Sequence, residues 1–174
     1  MKVLGIDPSL TSTGLALVEG GRVIRTERVR SKLKGHERVR EILIAIRNLA
    51  IDDDEVDIVG IEGPAFRAKG SSVVQIFGLW GIITHKLWEW KVPYYVVPPS
   101  NRMKYATGKG QISKDEVLAA VIDRYRDLVQ VTGNDVADAL IVAAMGARHF
   151  EEPLESSLPQ THLKALEGVQ WTAL

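Results

Sequence analysis

Residues 2–30 read KVLGIDPSLTSTGLALVEGGRVIRTERVR, and their patterning decides the fold. KVLGID (2–7) and GLALVE (14–19) are short apolar runs separated by the polar turn 8–13, and residues 22–30 alternate in a strand-like way. Three strands joined by tight turns follow, with Gly20-Gly21 giving the second turn its backbone freedom. Val39, Ile42, Leu43, Ile46 and Leu49 then recur at helical spacing over 36–50, charges lie opposite, and DDDE (52–55) reads as a solvated turn. VDIVGIE (56–62) is a compact buried strand ended by Gly63-Pro64. A whole helix separates it from the first strand, so the two are expected to run parallel.

A second helix over 71–90 is apolar on more than one face, which calls for a subunit interface in addition to the core, unless Trp80, Trp88 and Trp90 are ordinary core or half-exposed residues. YYVV inside 93–98 is a fifth strand, residues 100–107 a short helix and GKGQ (108–111) a loop. Ser113 stands three places before Glu116, a capping box opening a helix over 113–125, and a last helix over 135–149 is expected to be capped by Asn134. The order predicts an α/β fold, a mixed five-stranded sheet flanked by helices, in one domain over 1–150. Residues 151–174, rich in Ser, Pro, Gln and Glu, are expected to be a weakly ordered acidic tail.

With 174 residues and 45% hydrophobic content, the chain can bury one substantial core. It has no apolar run near the roughly 18 residues that cross a bilayer and no basic leader, so it is expected to be soluble and cytoplasmic. Lacking cysteine, it cannot form disulfides or thiolate metal sites, and any metal must be held by oxygen or imidazole. His36, His85, His149 and His162 show no ligand spacing. Net charge is zero but unevenly spread: 151–174 carry −3, leaving +3 on the body, and 22–40 alone carry +6. That density suits phosphate contact, and it equally suits the outward face of a strand and an amphipathic helix.

Asp7 ends the first strand and Glu62 ends the fourth, where an open α/β sheet borders a crevice. Asp135 and Asp138 are spaced i, i+3, on one face of the last helix, and Ala137, Ala139, Ala143 and Ala144 make that helix slim enough to approach the sheet closely. Four carboxylates in one cleft repel one another unless divalent cations sit between them, and oxygen-only ligands favour magnesium or manganese. Each acid also has a plainer reading. Asp7 before Pro-Ser can be a turn residue, Glu62 a solvated strand end and Asp135 a partner of the helix dipole. Asp138, set in VADALIVAA, is the hardest to explain without a function.

GIDPSLTSTG (5–14), GIEGPAF (60–66) and NDVADALIVAA (134–144) together resemble the RuvC-type Holliday-junction resolvases of the ribonuclease H-like superfamily. The likeness spans about residues 2–150, although the family's usual Asp-Pro-Gly is Asp7-Pro8-Ser9 here. It implies a ribonuclease H-like fold and a homodimeric crossover junction endodeoxyribonuclease acting in DNA recombination and repair. It also implies two Mg²⁺ ions per site, with Mn²⁺ substituting, held by Asp7, Glu62, Asp135 and Asp138. Lys104 and Lys114 match the family's basic residues near the scissile phosphate, and Phe66 matches the aromatic that stacks at the junction crossover. Arg28, Arg30, Lys32, Lys34, Arg67, Lys69, Arg102 and Lys109 are expected along the DNA path.

The expected location is the cytoplasm, at the nucleoid, or the host cytoplasm if the gene is phage-borne. Rival readings keep the fold but cut structured RNA, flaps or forks, or bind junctions without catalysis. The first motif also resembles that of actin-like ATPases, which need two such domains and a further Gly-rich segment, more than 174 residues accommodate.

Overall fold

The computed structural model describes residues 1–64 and 71–173. Strands β1 (Lys2–Asp7), β2 (Thr13–Glu19) and β3 (Arg22–Val29) form an antiparallel meander. Helix α1 (Gly35–Arg47) follows, then one π-helical turn (Asn48–Asp52), and the chain re-enters the sheet as β4 (Ile58–Glu62). Helix α2 (Ser71–Glu89) leads to β5 (Tyr94–Val97) and then to α3 (Pro99–Thr107), α4 (Lys114–Tyr125) and α5 (Asn134–His149). β4 lies parallel to β1, and β5 parallel to β4, as crossover helices require. The Ser113–Glu116 capping box forms in both directions. Asn134 does not cap α5: the N-cap position falls on Gly133, whose φ of 154° suits glycine, and the Asn134 Oδ1 is buried without a hydrogen bond.

Two corrections concern the chain beyond residue 150. Among the described residues the sheet has six strands, in the order β3-β2-β1-β4-β5-β6, because β6 (Gln170–Ala173) pairs antiparallel with β5. The segment expected to be a weakly ordered tail also forms helix α6 (Gln160–Leu163) and a 3₁₀ turn (Leu166–Gly168). Its order comes from buried contacts that composition conceals. Ala165 is fully buried, Trp171 stacks on His149 with ring centroids 3.8 Å apart, and Glu155 accepts hydrogen bonds from Tyr105, Tyr125 and Arg148.

Strand alternation divides the core into two layers. Leu4, Ile6, Leu15, Leu17, Val59 and Ile61 face α1 and α2, where they meet Ile42, Ile46, Leu79, Ile83 and Leu87. Val3, Ala16, Val18, Ile58, Tyr95 and Val97 face the opposite layer, which α5 dominates. Residues 136–147 of α5 are all buried. On α2, by contrast, Val74 is 76% and Trp88 61% exposed, leaving an apolar face uncovered beside its buried one. Among the described residues no helix is long and apolar enough to cross a membrane.

Candidate active site

The same alternation that sends Leu4 and Ile6 to one layer sends Val3, Gly5 and Asp7 to the other, under α5. On β4, Ile58, Gly60 and Glu62 share that face. The parallel register pairs Gly5 with Gly60 and Ile6 with Ile61, so the next residues, Asp7 and Glu62, end their strands side by side. Just below them the glycines leave room for helix and ring. A Cβ on Gly5 would stand 2.1 Å from Ala139 O, and one on Gly60 2.4 Å from the Tyr95 ring. α5 therefore lies against the bare backbone of β1, and Asp138 descends onto the two strand-end acids. Carboxylate oxygens of Asp7, Glu62 and Asp138 all lie within 4.8 Å of one another.

This cluster forms one wall of a cleft of about 480 Å³, which Pro8, Lys114 and Asp135 also line. Ile76, Phe77 and Trp80 of α2 supply an apolar wall. Asp135 stands apart from the other three acids. Its Oδ2 accepts a hydrogen bond of 2.6 Å from Ser12 Oγ and lies 3.4 Å from Arg28 Nε. Arg28 also donates to Thr132 O, so this residue, expected on the DNA path, is instead tied to the rim of the acidic site.

Crowding of charge shows in the titration of the acids. Burial, reinforced by Glu62 and then Asp138, holds the Asp7 carboxyl well above the ordinary range. Burial likewise pushes Asp138 up to about 7, against the opposing pull of Arg102. Arg102 is the cation the cluster already has, and its expected place along the DNA path is corrected by the structure. It is 7% exposed, with Nε 3.0 Å from Glu62 Oε2 and Nη1 hydrogen-bonded to Asp138 Oδ1. Lys104, expected near the scissile phosphate, is not among the residues that line the cleft, whereas the exposed Lys114 is. Arg30, Lys32, Lys34 and Lys109 are exposed, as phosphate contacts require, while Phe66, Arg67 and Lys69 lie outside the described residues.

The donor set fits a hard divalent cation: three clustered carboxylates offer only oxygen, and with a single arginine among them their charge is incompletely balanced. Such an arrangement can bind a metal ion against the wall of a cleft whose lining also carries Lys114.

Comparison with known proteins agrees in sequence and in shape. The profile of the family described as crossover junction endodeoxyribonuclease RuvC matches residues 3–146. Proteins of that name from Prochlorococcus marinus and Parasynechococcus marenigrum are 31% and 33% identical over 156 residues, spanning 84% of this chain and 97% of each relative. The structure of Thermus thermophilus RuvC superposes with a TM-score of 0.67 at 24% identity, covering 87% of this chain and 98% of that one. T. thermophilus RuvC in complex with a Holliday junction substrate gives the same TM-score at 22% identity, covering 87% and 97%. With its profile match running from β1 through most of α5, the chain belongs to the RuvC family of crossover junction endodeoxyribonucleases.

Proposed function

We propose that this protein is a Holliday-junction resolvase, a Mg²⁺-dependent endonuclease that hydrolyses phosphodiester bonds of four-way DNA junctions in recombination and repair, with Mn²⁺ able to replace Mg²⁺. The observation that carries this reading is the convergence of Asp7, Glu62 and Asp138, from two parallel strand ends and the helix laid across them, within 4.8 Å. Asp7, Glu62 and Asp138 would hold the metal, and Asp135 at the rim would complete the site when two ions are engaged. Bound ions supply an activated water and charge stabilisation at the phosphate.

The chain's own residues account for the rest. The buried strands beneath Asp7 and Glu62 fix both carboxylates before substrate arrives, so little reorganisation is needed at the reacting centre. Lys114, exposed at the cleft edge, reaches a phosphate entering the site. Arg30, Lys32, Lys34 and Lys109 bind the backbone of the junction arms, joined by Arg67 and Lys69, and Phe66 stacks at the crossover. A four-way junction has near two-fold symmetry, so paired nicks call for two sites facing the same way. The exposed Val74 and Trp88 of α2 suit the apolar interface of a homodimer.

The deciding experiment offers synthetic four-way junctions, forks, flaps and RNA-containing duplexes side by side with Mg²⁺, together with sedimentation at micromolar concentration. Paired nicks on the four-way junction are expected from a dimer, and Asp7→Asn should abolish them while junction binding survives. Full activity of Asp7→Asn, or cleavage confined to RNA or flaps, would overturn the assignment.

A further inference from the structure

Arg102 sits where an acidic cluster would be expected to keep room for metal. Its guanidinium spans one edge of the cluster, with Nε 3.0 Å from Glu62 Oε2 and Nη1 on Asp138 Oδ1. The Nε contact is an ion pair without hydrogen-bond alignment, so on the Glu62 side the arginine is held by charge alone, and its hydrogen bond in the cluster goes to Asp138. The helix beneath it is pinned at two points by the C-terminal segment. Asn101 Nδ2 donates to Ala165 O at 2.7 Å, and the Tyr105 carbonyl lies 2.7 Å from His162 Nδ1. With the backbone so fixed, rotation of its own side chain is the movement left to Arg102.

Ionised, Asp7, Glu62 and Asp138 carry three negative charges; Arg102, the buried cation among them, cancels one, Lys114 acts on Asp138 from an exposed position where solvent screens it, and the remainder equals one divalent ion. Asp135 adds little to this balance because Ser12 and Arg28 already engage its Oδ2. We infer that Arg102 is a built-in cation on the Glu62–Asp138 edge: without DNA the protein binds one divalent ion, on the Asp7 side, and a second enters only when the guanidinium is drawn off that edge. Arg102 is thus a positioning residue that sets metal stoichiometry. The inference rests on the metal-dependent nuclease reading, and adds that one of the two metal places is guarded by the protein itself.

The test is a titration of Mn²⁺ into DNA-free protein at neutral pH, counting bound ions by the loss of the free Mn²⁺ electron paramagnetic resonance signal. Wild type should bind one ion per chain, and Arg102→Lys, which keeps a cation, should also bind one. Arg102→Met should bind two, the first at least roughly tenfold more tightly, because a positive charge next to the ion has been removed. Should Arg102→Met fold only when Mn²⁺ is supplied, that dependence, missing in wild type, reports the same vacated charge and supports the inference. Two ions per wild-type chain, or a folded Arg102→Met with wild-type stoichiometry and affinity, would overturn it. Wild type binding no Mn²⁺ at all would instead bring down the metal reading on which the inference stands.

Discussion

Gly5→Ala tests whether the site is assembled by the close approach of α5 to β1. The added methyl would stand 2.1 Å from Ala139 O, 2.7 Å from Ala143 N and 2.9 Å from Ala143 Cβ. Non-bonded carbon and oxygen keep about 3.3 Å, so strand and helix must part by roughly 1 Å. Neither partner can yield by a side-chain rotation, since two of the three clashing atoms are helix backbone. Asp7 lies two residues along the same face of β1, and Asp138 immediately precedes Ala139. The strain should therefore cost about 1–3 kcal/mol in urea unfolding, as overpacking generally does. Displacing one ligand pair by about 1 Å should also lower Mg²⁺-dependent nicking of a four-way junction on the order of 100-fold. Gly78→Ala is the matched control: it adds the same methyl in α2, where no described atom lies within 4 Å, and should be neutral or stabilising by up to about 1 kcal/mol. If Gly5→Ala were as stable and as active as Gly78→Ala, the helix could not rest on the bare strand, and the close approach of α5 would not be what brings Asp138 to Asp7.

The crowded acids predict an unusual pH dependence. Asp138 is raised from 3.8 to about 7, so its folded-state protonation contributes stability that is present below pH 4 and lost as pH climbs through 7. Asp7 is raised in the same direction, chiefly by burial. Metal-free protein should accordingly melt lower as pH rises from 5 to 8, with Asp7→Asn and Asp138→Asn flattening the slope and Mg²⁺ restoring wild type; a melting temperature that rises over this range would contradict the assignment. At the other end of the sheet, Trp171→Ala should cost about 2–3 kcal/mol by chemical denaturation, because the ring stacks on His149 and packs at 5.1 Å on Tyr95. The same change should raise the His149 pKa, now lowered by burial, toward its ordinary value in an NMR titration. An unmoved His149 and an unchanged denaturation midpoint would mean that the C-terminal strand is not docked there.

Much of this architecture was legible because strands and helices print different periods on the sequence. KVLGID and VDIVGIE carry apolar residues on both faces yet place Gly5 and Gly60, then Asp7 and Glu62, at matching steps, so the alternation that buries the strands also delivers the two acids to the same layer. The alanine-rich stretch of α5 likewise foretold close packing around Asp138. What the chain did not disclose was long-range pairing of short polar stretches. Gln170–Ala173 has only four residues and a mixed pattern, and its place on the edge of β5 depends on Trp171 meeting Tyr95 and His149, residues 76 and 22 positions earlier. Glu155 looked like one more acid of a solvated tail. Its side chain is covered because two tyrosines and Arg148 from α3, α4 and α5 converge on it.

That Arg102 and not Lys104 meets the acids follows from helix geometry. Successive residues of an α-helix turn by about 100°, so two positions along α3 point in nearly opposite directions and cannot both serve one cleft. Sequence placed two basic side chains in NRMK without fixing the phase of the helix, since Pro98-Pro99 sets where α3 begins but its few apolar residues give no clear stripe. The structure fixes that phase through Tyr105 and Ala106, which are buried toward α4 and the C-terminal segment, and through Asn101, whose side chain is held by Ala165 O. With those three committed, Arg102 is the basic residue that turns inward to Glu62 and Asp138. The segment after residue 150 thus decides, through the seating of one short helix, which cation joins the acids, and a reading that takes that segment for a weakly ordered tail has no means of placing Arg102 among them.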